Sequence, residues 1–179
     1  PAEAFTITVY PTAQVDSIPK QVLCNPEFTE EIMFRTENTD GTTSYSWTND
    51  NVAIGLVSAV GSGNIGSFNA TNTTSQAQTA TFVVTPSYTN NGVSCEGLSE
   101  TFTITVNPSA QVNEILNQDL CKGQITSPIN FSTTNVDGNT EYSWTNDNTN
   151  IGLAESGDGN ILSFTILNNS GESEVATIT

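Results

Sequence analysis

Threonine and apolar residues alternate along several short stretches of this chain. Phe102, Ile104 and Val106 alternate with Thr101, Thr103 and Thr105, and Ala80, Phe82 and Val84 alternate with Thr81, Val83 and Thr85. A period of two sends successive side chains to opposite faces, so each stretch predicts a half-buried strand with its apolar face inward. The stretch Glu31 to Arg35 is ambiguous alone, but a second copy fixes its phase. Ile32 and Phe34 match Ile129 and Phe131, whereas Met33 matches Asn130 and Arg35 matches Ser132. The matched apolar pair should face a core and the variable pair should face water. No segment carries a convincing 3.6-residue apolar period, so helices are not expected.

The copying extends along the chain. Phe5-Thr-Ile-Thr-Val9 returns as Phe102-Thr-Ile-Thr-Val106, Cys24 as Cys121, Tyr45-Ser-Trp47 as Tyr142-Ser-Trp144, and Ile54-Gly-Leu56 as Ile151-Gly-Leu153, all at an offset of 97. After one deletion the offset is 96, pairing Gly63-Asn-Ile65 with Gly159-Asn-Ile161 and Phe68 with Phe164. A period of this length suits one small sandwich domain. The frame predicts residues 1–10 as the last strand of a preceding repeat and 11–107 as a complete repeat. Residues 108–179 are then a second repeat, incomplete at its C-terminal end. The sequence reads as a window on a longer array.

Turn residues punctuate the repeat. Asp40-Gly41 and Asp137-Gly138 signal tight turns. Asn49-Asp50-Asn51 and Asn146-Asp147-Asn148 mark another turn just after the aromatic pairs. Tyr45 and Trp47, like Tyr142 and Trp144, lie two apart on one face of a strand. They are expected as core anchors between two sheets, the alternative being an exposed aromatic platform for a sugar or a base. Seven or so short strands with regular turns predict an all-β fold of tandem immunoglobulin-like β-sandwiches.

Composition removes several function classes. The chain has 3 basic and 19 acidic side chains, no histidine and a net charge of −16. Nothing here could neutralise a run of phosphates, so nucleic acid is not an expected partner, nor is an anionic membrane surface. Without histidine there is no Ser-His-Asp triad and none of the commonest zinc ligand. No apolar run approaches the roughly 20 residues of a membrane helix, so membrane insertion is not expected.

Taken together, the YSWTNDN strand-turn, the Val22-Leu-Cys24 and Asp119-Leu-Cys121 segments, Gly92-Val-Ser-Cys95 and the closing FTITVNP resemble PKD-like repeats. These are immunoglobulin-like modules of large secreted surface proteins of Bacteroidota. The resemblance covers essentially the whole chain. The sequence departs from the usual Trp-x-Phe-Gly-Asp-Gly turn by having Trp47-Thr-Asn-Asp-Asn51, which points to a divergent branch. The resemblance implies a stalk segment of an extracellular, cell-surface adhesin or filament, exported by the type IX system, including adhesins of gliding motility. It equally admits a carbohydrate-binding accessory module of a secreted polysaccharide hydrolase. The expected partners are neighbouring repeats of the same chain, and surface polysaccharide or other cell-surface proteins.

Of the three cysteines, Cys24 and Cys95 fall in the complete repeat, and Cys121 repeats Cys24. One disulfide per repeat accounts for the odd count and suits an extracellular location. The expected pairing is Cys24 with Cys95, with the partner of Cys121 beyond Thr179. If the two loops sit at opposite ends of a sandwich, the bridge would instead join neighbouring repeats. Acidic residues match between copies at only two places, Asp40 with Asp137 and Asp50 with Asp147. Turn formation accounts for both, and the alternative is calcium, which takes carboxylate and carbonyl oxygens in loops. No other cofactor is expected. Glu30-Glu31 and the pair Glu172 and Glu174 have no counterparts, so general acid/base work, and with it an enzyme, is not expected. Ser17, in Asp16-Ser-Ile18, resembles a short O-glycosylation motif of Bacteroidota. The Asn-x-Ser/Thr sequons at Asn69, Asn72, Asn130 and Asn168 are expected by chance in so Asn- and Thr-rich a chain.

Overall fold

A computed structural model describes residues 1–179. The chain is nearly all β, with two short 3₁₀ turns and no α-helix. No helix is long and apolar enough to cross a membrane. It divides into two compact units, Pro1–Ser109 and Ala110–Thr179.

Unit 1 is built on one six-stranded sheet. Its strands are β1 (Gln21–Cys24), β2 (Thr42–Asn49), β3 (Val60–Ser62), β4 (Gln78–Asn90), β5 (Val93–Glu96) and β6 (Glu100–Asn107). Their order is β1-β6-β4-β2-β3, with β5 paired to β4. The long strand β4 organises the sheet because its inward residues form an unbroken apolar row. Ala80, Phe82, Val84, Pro86 and Tyr88 are all buried, at every second position. β2 runs antiparallel along one side of β4, from Thr42 opposite Thr89 to Asn49 opposite Phe82. β6 and β5 share the other side, with Val106 opposite Gln78 and Cys95 opposite Tyr88. A tight turn joins β4 to β5, in which Asn91 and Gly92 both take positive φ (48° and 79°), as a two-residue hairpin requires. β1 adds to β6 in parallel, with Leu23 opposite Val106 and Cys24 opposite Asn107.

The inner face of this sheet is covered by two extended segments that meet at the antiparallel bridges Phe28–Asn69 and Ile32–Ile65. Ile32 and Ile65 exchange both backbone hydrogen bonds, at 2.9 and 3.0 Å. Ile32, Phe34, Ile65 and Ala70 pack from this side onto Trp47, Phe82, Val84, Phe102, Ile104 and Val106 from the sheet. Apolar burial between facing layers is the main stabilising term in such an arrangement, which is consistent with a β-sandwich. Met33 and Arg35 point outward between the buried Ile32 and Phe34.

Unit 2 contains the strands β7 (Ser143–Thr145) and β8 (Ser156–Asp158), paired antiparallel, with bridges Ile125–Thr165, Ile129–Ile161 and Asn146–Ile178. Trp144 lies opposite Gly157, as Trp47 lies opposite Gly61 in the pairing of β2 with β3.

Residues 1–10 stand apart from the sheet. They form no strand, and Phe5, Ile7 and Val9 are at least 80% exposed. The identical residues at 102–106 are buried because β1 and β4 flank them and take up their backbone groups.

Candidate functional site

The twice-copied aromatic and Asn-Asp-Asn cluster is the natural place to seek a site. Its aromatics face inward. Trp47 is 7% exposed and Trp144 8%. Trp47 packs at 6.2 Å from Phe82 and donates its indole N–H to the Gly63 carbonyl at 3.1 Å. Tyr45 lies 5.3 Å from Phe34, and Tyr142 lies 5.5 Å from Phe131. Burial holds the Tyr45 hydroxyl above its ordinary pKa, and Asp16 adds to the effect while a hydrogen bond with Thr36 opposes it. Neither tryptophan offers a face to a sugar ring.

The polar residues that follow act on the backbone, with matching assignments in both copies except for some acceptors of the first Asn amide. Asn49 is buried. Its Oδ1 accepts from the Asn51 N–H at 3.0 Å, and its Nδ2 donates to the carbonyls of Leu56 and Ser58. Asn146 is buried too, accepts from Asn148 at 3.1 Å and donates to Asn148, Leu153 and Ala154. Asp50 Oδ1 accepts from the Thr81 N–H at 2.6 Å, and Asp147 Oδ1 from the Thr177 N–H at 2.7 Å. Asn51 caps the 3₁₀ turn Val52–Ile54 by accepting from Ala53 and reaches the Thr79 carbonyl. Asn148 caps Thr149–Ile151 by accepting from Asn150 and reaches the Val175 carbonyl. Gly55 and Gly152 close these turns at φ 109° and 97°, where a side chain would be strained. Each cluster therefore ties the end of its tryptophan strand to a segment about thirty residues away.

This geometry bears on the calcium expectation. Asp40 and Asp50 flank the eight-residue strand β2 at opposite ends, roughly 25 Å apart at the usual rise per residue, so they share no site. No three acidic or cysteine side chains converge on one point. The Asp40-Gly41 turn also differs from the expected form. Asp40 itself takes φ 62°, and Gly41 lies against the Tyr88 ring, leaving no room for a Cβ. In unit 2 the positive φ (81°) is on Gly138 instead. Asp50→Asn should therefore leave stability within about 1 kcal/mol, because the amide oxygen can still accept from Thr81. Asp50→Ala should cost about 1 kcal/mol, with the bond exposed to solvent. Urea denaturation with and without millimolar calcium checks this. A calcium-dependent gain that Asp50→Asn abolishes would instead establish an ion site.

The cysteines supply the clearest correction. Cys24, Cys95 and Cys121 are free thiols. Leu23, Val106 and Gln78 lie in one row across the sheet, and Tyr88 and Cys95 in another. Those rows are ten residues apart on β4, roughly 33 Å at strand rise. A disulfide needs Cα atoms within about 7 Å, so Cys24 cannot pair with Cys95 inside the unit. The parallel docking of β1 on β6 creates this separation, since it carries Cys24 to the far end of the sheet.

Of the remaining candidates, Ser17 is exposed. The carboxylates of Glu30 and Glu31 lie on an exposed stretch, and Glu174 accepts from the Asn148 amide. Asn72 is buried, with its amide nitrogen donating to the Gln76 and Val106 carbonyls, so the folded chain has no room for a glycan there. Sequence reasoning missed Gly61, Gly157, Asn64 and Asn160. The Asn64 and Asn160 side chains accept from the Phe34 and Phe131 N–H groups at 3.0 and 2.9 Å. The matched Gly-Asn-Ile triplets were the available signal. No family model, no curated protein and no solved structure matches this chain.

Proposed function

We propose that this chain is a stalk segment of a large extracellular, cell-surface adhesin or filament, built from tandem immunoglobulin-like, PKD-like repeats and without catalytic activity. In this reading it is exported by the type IX system and belongs with adhesins of the gliding-motility kind. The observation that carries the proposal is that the side chains common to both copies are occupied in holding the fold. Asn49, Asp50 and Asn51 bond to backbone, as do Asn146, Asp147 and Asn148. What the copies share is thus a scaffold, while outward positions such as Met33 and Asn130 differ. A spacer needs its internal design repeated and leaves its surface free to vary.

The path of the chain through unit 1 supports the same reading. Residues 12–14 enter beside Gly97, which is packed against Ala13, and beside Asn38, which bonds to Thr12 and Gln14. The chain leaves at Asn107 to Ser109, which bond to Asn25. Gly97 bonds to Pro86, whereas Asn107 lies just past the row of Gln78, so entry and exit are at opposite poles of the long strand β4. The net charge of −16 adds repulsion between like units and favours extension. Three tandem copies of residues 13–109, one 97-residue period each, should give a rod in small-angle scattering that lengthens by about 40 Å per repeat, the span of a thirteen-residue strand. A compact particle with specific affinity for a polysaccharide would overturn the proposal in favour of a carbohydrate-binding accessory module.

A further inference from the structure

The first and last strands of unit 1 lie side by side. β1 pairs with β6 in parallel, from Gln21 opposite Ile104 to Cys24 opposite Asn107. Both strands therefore run from the entry pole toward the exit pole. Tension along the chain reaches β1 at its first residue, Gln21, and β6 at its last, Asn107. It draws β1 toward the entry pole and β6 toward the exit pole, along their common axis. A ladder loaded in this way is sheared, and its evenly spaced bonds share the load and part together. A ladder pulled open from one end loses them one at a time.

The exit end of this ladder is reinforced. The Asn25 N–H donates to the Asn107 carbonyl at 3.0 Å, which continues the pairing past Cys24. Asn25 Nδ2 donates to Ser109 Oγ at 2.7 Å, and that hydroxyl donates to the Asn25 carbonyl at 2.9 Å. Asn25 Oδ1 accepts from the Asn72 N–H at 3.1 Å, and the buried Asn72 donates from Nδ2 to the Val106 carbonyl at 2.8 Å. Asn25 and Asn72 thus grip the last residues of β6 from two separate segments. Phe102, Ile104 and Val106 are buried, so sliding β6 would also draw apolar side chains out of the core. The segment before β1 is held by scattered bonds instead, from Asn38 to Thr12 and Gln14 and from Asp16 to Arg35.

We propose that unit 1 is a load-bearing module, in which the parallel β1–β6 pair and the Asn25–Ser109 clasp resist tension between its entry and exit. The inference deepens the stalk reading and rests on it, because a stalk transmits pull along its own chain. Resistance then depends on the direction of the pull, and it resides in a few bonds at one pole. Global stability, by contrast, is spread over the whole core.

Single-molecule force spectroscopy of the full chain tests this. The chain is held first by its two ends, and then by residue 28 and its C-terminal end. The second handle is Phe28→Cys in a chain whose Cys24, Cys95 and Cys121 are replaced by serine. The same variant serves both geometries, and circular dichroism verifies that it folds. Phe28 is exposed and follows the turn in which Glu27 bonds back to Cys24, so the second geometry peels β6 from its exit end. Opening of unit 1 is recognised by a gain of about 300 Å, from roughly 3.5 Å per extended residue less the folded span. Unit 2 is shorter and gives a smaller gain. At equal constant force, unit 1 should survive at least about thirty-fold longer when held by its ends, the factor carried by two hydrogen bonds that part together rather than in turn. In that geometry Ser109→Ala should shorten the lifetime about five-fold, as the loss of one such bond does. Asp50→Ala should change it less than about two-fold, because a bond still intact at the transition state does not alter the opening rate. Equal lifetimes in the two geometries, or equal effects of the two substitutions, would overturn the proposal. Rod-like scattering from the tandem copies together with equal lifetimes sinks the load-bearing role alone, whereas a compact particle sinks the stalk.

Discussion

Trp47→Ala should lower the stability of unit 1 by about 3–5 kcal/mol, the usual loss for a buried large aromatic. The indole sits where the sheet meets its covering layer, in one cluster with Ile32, Phe34, Ile65 and Phe82. Its removal deletes apolar contact on every side and orphans the Gly63 carbonyl, which accepts the indole N–H at 3.1 Å. β4 and β6 on one side and the Ile32–Ile65 pair on the other are fixed by backbone hydrogen bonds, so the cavity cannot close. Urea denaturation of the full chain followed by circular dichroism would measure the loss. Both tryptophans should also resist acrylamide, since both are over nine-tenths buried. A loss below about 1 kcal/mol, or quenching as ready as that of free indole, would show that the strand carries its aromatics outward. Trp144→Ala should cost less, because the Trp144 indole N–H is buried without an acceptor and its deletion removes that penalty too.

The inward phase of these strands was legible because it depends on neighbours in sequence. Alternation placed Phe102, Ile104 and Val106 inward, and the matched pairs placed Ile32 and Phe34 inward, as the structure has them. The copied Asn-Asp-Asn turn was visible as a turn for the same reason. Its partners were not visible. The bond from Asp50 to Thr81 spans 31 residues, and nothing in a threonine-rich strand marks which N–H will be left over. Pole assignments were hidden more deeply. They depend on β1 docking parallel to β6, a pairing between Gln21–Cys24 and Ile104–Asn107 that four residues of sequence do not announce. Residues 5–9 make a related point. Their pattern is identical to that of 102–106, yet pattern specifies which face is apolar and not whether a partner strand is present. The same limit applies to Gly61, whose importance lies in the register of β3 against β2.

Gly61→Ala should destabilise unit 1 by about 3 kcal/mol, at the upper end of the overpacking range. Gly61 is opposite Trp47 in the pairing of β2 with β3, and the indole lies close against it. A Cβ at this position would overlap Cζ2 and Cε2 of the ring. The ring has no free direction in which to move, being bonded to Gly63 on one edge and packed on Phe82. Either the indole leaves its pocket or β3 pulls away from β2, and each outcome sacrifices burial or backbone bonds. A double-mutant cycle isolates the cause. In the Trp47→Ala background the added methyl meets empty space, so Gly61→Ala should cost less than about 1 kcal/mol there, a coupling of about 2 kcal/mol. Additive costs would place the damage in the β3 backbone instead. Unit 2 offers an independent repetition, because a Cβ on Gly157 would overlap the Trp144 ring in the same way. Gly157→Ala should therefore couple to Trp144→Ala with the same sign. Agreement between the two cycles would establish that the Trp-over-Gly contact, and not a local accident of either copy, sets the spacing of the tryptophan strand from its neighbour. That contact would then join the Asn-Asp-Asn tie as a structural reason for the aromatic pair and its turn to recur.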